Sequence, residues 1–204
     1  MKKISSLIIC IMLTLPILSF VVSAGDEENP EIEDPEKDVL LFGIYRLPIL
    51  GKLFKHFDII STWFHEDSNE PDLLYITMKV KSYKPPNKMA FYSVFWYYNN
   101  TQYAAVIITV RGEDTYSGIQ IDENTYIPVE DFYTINKDEN KITFAIPKDV
   151  IGDPEPGETL NNPSALAGVR FISENLSNLL MRFFGSNILA VDFTDNGIDY
   201  TIEI

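Results

Sequence analysis

The chain has 204 residues, of which 30 are Asp or Glu and 16 are Lys or Arg, so its formal net charge at pH 7 is −14. A surface of this sign repels phosphate backbones, which argues against nucleic acid as a partner. The single cysteine, Cys10, lies close to the N-terminus, which excludes a disulfide framework and a thiolate metal site from the rest of the chain.

The N-terminus has the pattern of a secretory signal. Lys2 and Lys3 precede an apolar run from Ile4 to Val22, which ends in the small-residue sequence Val22-Ser23-Ala24. This pattern predicts a signal peptide over residues 1–24 that is cleaved near Ala24, with an uncleaved N-terminal anchor as the alternative. We therefore expect a protein that is secreted or held at the cell surface.

The next segment, residues 25–37, is rich in Asp and Glu and poor in apolar residues. It is interpreted as an extended acidic tether. The remainder, residues 38–204, has the length of one domain and enough apolar residues to build a core without disulfides.

Period-2 alternation of apolar and polar residues dominates this domain and predicts β-strands. The predicted strands are 39–46, 57–65, 73–81, 90–98, 102–110, 115–121, 126–135, 141–147, 168–172 and 188–204, the last with a break at residues 195–197. No alternation of strands with helices is present. The pattern therefore favours an all-β, antiparallel β-sandwich.

A hairpin is predicted at residues 91–110, because Asn99 and Asn100 tolerate the positive φ of a two-residue turn. This turn pairs Trp96 with Tyr103, and both faces of the hairpin are apolar enough to require cover. One short amphipathic helix is predicted at residues 173–184, where Leu and Phe recur at helical spacing before Gly185.

Several segments together resemble the DOMON-like secreted β-sandwiches, a group that includes type 9 carbohydrate-binding modules and the C-terminal modules of glucodextranase-like proteins. These segments are "DPEKD" (34–38), "FDIISTWFHED" (57–67), "LLYITMKV" (73–80), "FWYYNNTQY" (95–103), "ITFAIPKDVIGDPEPGE" (142–158) and "DNGIDYTIEI" (195–204). The resemblance implies a β-sandwich that binds carbohydrate and holds calcium. It also implies that the stretch after Pro147 turns the corner of the sandwich.

Two kinds of ligand site follow as expectations. Sugar recognition requires flat aromatic rings beside polar groups, and the candidates are Trp63, Tyr83, Phe95, Tyr97 and Tyr116. Calcium requires several hard oxygen ligands, and the candidates are Asp34, Asp38, Asp58 and Asp192. The alternative is that these rings belong to the core and these acids to a solvated surface.

A basic, apolar insert at residues 44–57 carries Arg46, Lys52 and Lys55, and could contact an anionic membrane or an acidic partner. The alternative is that it packs against the helix predicted at 173–184 and extends its lysines into solvent. Asn99 and Asn175 each begin an N-glycosylation acceptor sequence. No nucleophile and base are placed together in a catalytic motif. The expected function is thus a non-catalytic, exported binding module for carbohydrate or another component of the cell envelope. The alternative is a structural protein of the cell surface that docks a partner protein or an anionic membrane.

Overall fold

The computed structural model describes residues 25–34, 39–41, 45–46, 55–83, 89–110, 113–122, 125–170, 188–195 and 197–204. The strands are β1 (Ile32–Glu33), β2 (Leu40–Leu41), β3 (Tyr45–Arg46), β4 (Ile59–His65), β5 (Leu73–Val80), β6 (Met89–Tyr98), β7 (Thr101–Val110), β8 (Glu113–Ile121), β9 (Thr125–Pro128), β10 (Tyr133–Asn136), β11 (Lys141–Pro147), β12 (Thr159–Arg170), β13 (Ile188–Thr194) and β14 (Tyr200–Thr201).

In the described ranges these strands form two antiparallel sheets, which confirms the predicted β-sandwich. One sheet has the order β1-β4-β5-β11-β10, and the other has the order β3-β2-β13-β12-β6-β7-β8-β9, with β14 paired to β12. The predicted signal peptide and the helix predicted at 173–184 lie outside the described residues. No helix in the described ranges is long and apolar enough to cross a membrane.

Aromatic side chains join the two sheets. Phe64 of the first sheet meets Trp96 of the second edge to face, with ring centroids 6.2 Å apart, and stacks on Tyr200 at 5.4 Å. All three side chains are almost completely buried. Since burial of one large apolar side chain stabilises a fold by about 1.5–3 kcal/mol, this row contributes strongly to holding the layers together.

The predicted central hairpin is confirmed. Asn99 and Asn100 have φ angles of 49° and 62°, and Trp96 pairs with Tyr103 across the turn. On the outer face, Val106 is buried whereas Tyr97 is 39% exposed. The outer face is therefore covered only in part.

The chain turns sharply after β11, at residues 147–152, and this turn explains why the strand is followed by Lys148. Pro147 cannot extend the ladder as a donor, and a 3₁₀ turn, Lys148–Ile151, follows it. Ile151 is fully buried, and Gly152 reverses the chain with a φ of 92°. Lys148 is itself buried, where it forms an ion pair with Glu66 and donates to the main-chain oxygen of Ile204.

Strand β1 lies within the segment that was predicted as an acidic tether, and it pairs with β4 of the first sheet. Ile32 is fully buried and pairs with Thr62, and Glu33 pairs with Ser61. The reason is that the apolar side chain of Ile32 reaches the core, while the next residue, Glu33, stays in solvent. The average composition of an acidic segment does not reveal that one apolar residue in it is buried.

Candidate functional site

A groove of about 570 Å³ lies where the chain crosses from β9 of one sheet to β10 of the other. Its lining combines two aromatic rings, one hydroxyl side chain, two carboxylates and a short apolar stretch. The lining residues that the structure describes are Tyr116, Ser117, Tyr126, Pro128, Val129, Glu130 and Asp131.

The two tyrosine rings form a stacked pair. Their centroids are 3.9 Å apart and their planes differ by 20°. Gly118 makes this possible, because a Cβ atom there would lie 2.9 Å from the Tyr126 ring and 2.2 Å from the main-chain oxygen of Ile127. The Tyr126 hydroxyl donates to the Ser117 carbonyl at 2.6 Å, which fixes the ring against β8.

Both rings are only half-buried. Burial raises the pKa of the Tyr116 hydroxyl above its usual value of 10.0, so this group remains a neutral hydrogen-bond donor at neutral pH. The pair thus offers both an apolar ring surface and a hydroxyl donor within one groove.

The two carboxylates of the groove lie in the turn between β9 and β10. Glu130 and Asp131 are both exposed, and Asp131 has a φ of 48°. The next residue, Phe132, is 1% exposed, and its ring packs against Phe144 at 5.7 Å. Because Phe132 also accepts a hydrogen bond from the Ala145 amide at 2.8 Å, the turn is anchored to the core beside the groove.

A second groove, of about 440 Å³, lies at the tip of the central hairpin beside Asn99 and Asn100. Its tyrosine, Tyr98, is 5% exposed and donates its hydroxyl hydrogen bond to Glu158. This groove therefore presents almost no aromatic surface to a ligand.

The five aromatic residues predicted for sugar binding do not form one site. Trp63 is 7% exposed, with the Lys141 ammonium 5.6 Å from its ring centroid. Tyr83 packs against Tyr92 in the core at 6.0 Å. Phe95 is half-buried and Tyr97 exposed on the outer face of the larger sheet, so Tyr116 is the one predicted ring that lines the larger groove.

The acids predicted to bind calcium have other contacts. Asp192 is 1% exposed and accepts the Ile59 amide at 2.7 Å, while Asp58 is fully buried with the Lys81 ammonium 3.9 Å away. Asp34 is half-buried and its amide donates to Ile60 at 3.1 Å; Asp38 lies outside the described residues. Nowhere in the described ranges do three His, Cys, Asp or Glu side chains group to hold a metal ion.

The structure describes some of the remaining predicted site residues and not others. Lys55 is exposed in the turn before β4, and the main chain of Arg46 lies in β3. Lys52 and Asn175 lie outside the described residues. Asn99 is exposed at the hairpin tip, where a glycosylating enzyme could reach it.

Sequence reasoning missed Tyr126, Gly118, Glu130 and Asp131. The available signal was the turn-forming sequence Asp122-Glu123-Asn124, which places Tyr126 opposite Gln120. This register puts Tyr126 on the face of Tyr116, with Gly118 between them. Predicting residues 126–135 as one strand concealed the turn that carries the two acids.

Comparison of the chain with protein-family models, with curated protein sequences and with solved structures gives no match.

Proposed function

We propose that this chain is an exported, non-catalytic carbohydrate-binding module of the cell envelope, and that the groove at Tyr116 and Tyr126 is its ligand site. The observation that carries the proposal is the stacked tyrosine pair lining a groove together with two exposed carboxylates.

The chemistry of the groove suits a sugar. Aromatic rings provide flat apolar surface for the C–H face of a pyranose, and Tyr combines this surface with a hydrogen-bonding hydroxyl. Carboxylates accept hydrogen bonds from sugar hydroxyls, and Glu130 and Asp131 are the two carboxylates that line the groove. The volume of about 570 Å³ lies within the range of small-ligand sites.

The fold supports preorganisation of this site. Tyr116 and Tyr126 lie on paired strands, and the acidic turn is anchored by Phe132. Since ligand binding must offset the entropy of ordering the side chains, groups that are already fixed lower this cost.

The test is a glycan screen followed by calorimetry on matched variants. We expect Tyr126→Ala to weaken binding of any glycan found by about tenfold or more, because aromatic anchors at binding sites contribute about 1–2 kcal/mol or more. Tyr126→Phe keeps the ring and should retain most of the affinity. Tyr97→Ala removes an exposed tyrosine outside the groove and should bind like the unchanged protein.

Thermal unfolding of each variant separates a lost site from a lost fold. A folded Tyr126→Ala protein that binds the glycan as tightly as the unchanged protein would exclude this groove. Absence of binding across neutral, basic and acidic glycans would overturn the proposed function itself.

The competing function is docking of a partner protein through the outer face of the larger sheet. Tyr97 and Phe193 favour it, because they share that face and are 39% and 45% exposed. In this case Tyr97→Ala would reduce partner binding, whereas the groove variants would leave it intact.

A further inference from the structure

The groove has a strongly acidic character. Among the lining residues that the structure describes, Glu130 and Asp131 carry charge and none is Lys or Arg. Neither carboxylate forms an ion pair in the described part of the chain. Glu27, by contrast, forms ion pairs with both Lys79 and Lys141.

With no basic partner among the described residues, the two carboxylates determine which ligands the groove attracts. An ammonium group between two carboxylates forms charge-assisted hydrogen bonds, which are about twice as strong as neutral ones. The faces of Tyr116 and Tyr126 add a second attraction, because a cation near an aromatic face is drawn to the ring. A neutral hydroxyl or acetamido group gains only the weaker, uncharged hydrogen bonds.

The same charges disfavour acidic sugars. A uronic acid or a sulfated sugar would bring a negative charge against the two carboxylates, on a chain with a net charge of −14. Charges of like sign in an interface reduce affinity and so select against such ligands.

We propose that the groove recognises glycans that carry free, protonated amino groups, such as glucosamine oligomers, and selects against acidic glycans. This inference rests on the proposed function and specifies its ligand class. Glu130 and Asp131 are the residues that determine specificity, and the tyrosine pair supplies the surface on which the sugar ring lies.

The experiment compares three tetramers by calorimetry, at a pH where the amino groups are protonated. They are β-1,4-linked glucosamine, its N-acetylated counterpart and galacturonic acid. We expect the glucosamine tetramer to bind about tenfold or more tightly than the acetylated one, and the galacturonic acid tetramer to bind most weakly.

The double variant Glu130→Gln/Asp131→Asn should abolish the difference between the glucosamine and N-acetylglucosamine tetramers. The matched control is Asp138→Asn/Glu155→Gln, which removes the same charges from two exposed positions outside the groove and should keep the preference. A control variant that loses the preference equally would show that overall charge, and not this groove, attracts the ligand.

The outcomes separate this inference from the proposed function. Equal affinity for the glucosamine and acetylated tetramers, with loss of both in Tyr126→Ala, would overturn the amino-group preference and leave carbohydrate binding intact. Tightest binding of the galacturonic acid tetramer would also overturn it. No binding of any of the three tetramers would overturn the amino-group inference. No binding of any glycan in the wider screen would overturn the proposed function as well.

Discussion

Replacement of Lys148 by alanine should lower the free energy of unfolding by about 3–5 kcal/mol, the range for removing one partner of a buried ion pair. The Lys148 and Glu66 side chains are only 6% and 2% exposed. Without Lys148, the Glu66 carboxylate would stay in the core with hydrogen bonds from Tyr200, at 3.0 Å, and the Glu203 amide, at 2.6 Å, but without this cation.

The ion pair itself need not be a large source of stability. Two buried charges lose their hydration, and apolar replacement of both partners is often neutral or better. The double variant Glu66→Leu/Lys148→Met should therefore recover much of the loss. Lys137→Ala, an exposed lysine of the β10–β11 turn, should change stability by less than about 0.5 kcal/mol.

Urea denaturation of these variants measures the effect. A loss below about 1 kcal/mol for Lys148→Ala would mean that the pair is solvated, since exposed ion pairs contribute about that much or less. The corner after β11 would then be stabilised by the burial of Ile151 and by main-chain hydrogen bonds rather than by the ion pair.

Replacement of Glu31 by glutamine should remove a pH-dependent loss of stability. Glu31 is 9% exposed and its carboxylate accepts the Phe64 amide at 2.8 Å. Burial, with smaller contributions from Asp26 and Glu203, raises its pKa from 4.5 to about 7. The folded protein thus keeps a proton that the unfolded chain has already lost.

The sign of the effect follows from proton binding. Between pH 4.5 and 7 the folded state holds more protons at Glu31 than the unfolded state, so stability falls as the pH rises through this window. Below pH 4.5 both states are protonated and no loss occurs. After allowance for partial solvation, the loss should amount to about 2–3 kcal/mol.

The measurement is the free energy of unfolding of both proteins from pH 4 to 8. The stability of Glu31→Gln relative to the unchanged protein should increase across this range and level off above pH 7. Glu33→Gln, which alters the exposed neighbour, should give a constant difference. A constant difference for Glu31→Gln as well would show that its carboxyl group titrates normally.

Local sequence signals predicted those elements whose pairing is short-range. The Asn99-Asn100 turn fixed the register of the central hairpin, because a two-residue turn with positive φ leaves one pairing for the flanking strands. The strand over residues 141–147 was predicted within its observed bounds, because its alternation is regular and Pro147 ends it.

Strand β12 was predicted too short, as residues 168–172, although it begins at Thr159. The sequence Asn161-Asn162-Pro163 is typical of a turn. In the structure, Asn162 has a φ of 51° and the pairing with β6 shifts between Asn161 and Ser164. A β-bulge accommodates turn-forming residues within a strand, and only the neighbouring strand reveals it.

The candidate site depends in the same way on contacts that sequence spacing does not show. Tyr116 was predicted from its residue type, but its partner Tyr126 is brought near by the β8–β9 register. Gly118 carries no signal of its own in the sequence, yet its missing side chain leaves the space for the Tyr126 ring. The burial of Lys148 was not predicted, because a lysine is rarely buried unless it is paired with an acid. Its acidic partner, Glu66, is far away in the sequence and therefore gave no signal.

The most direct test of carbohydrate binding at the groove is a titration of isotope-labelled protein with the tightest-binding glycan, followed by amide chemical shifts. The largest shifts should fall at Ser117, Tyr126, Glu130 and Asp131, with little change around Tyr97 and Phe193. Shifts concentrated at Tyr97 and Phe193, or no shift at saturating glycan concentration, would contradict the proposed site.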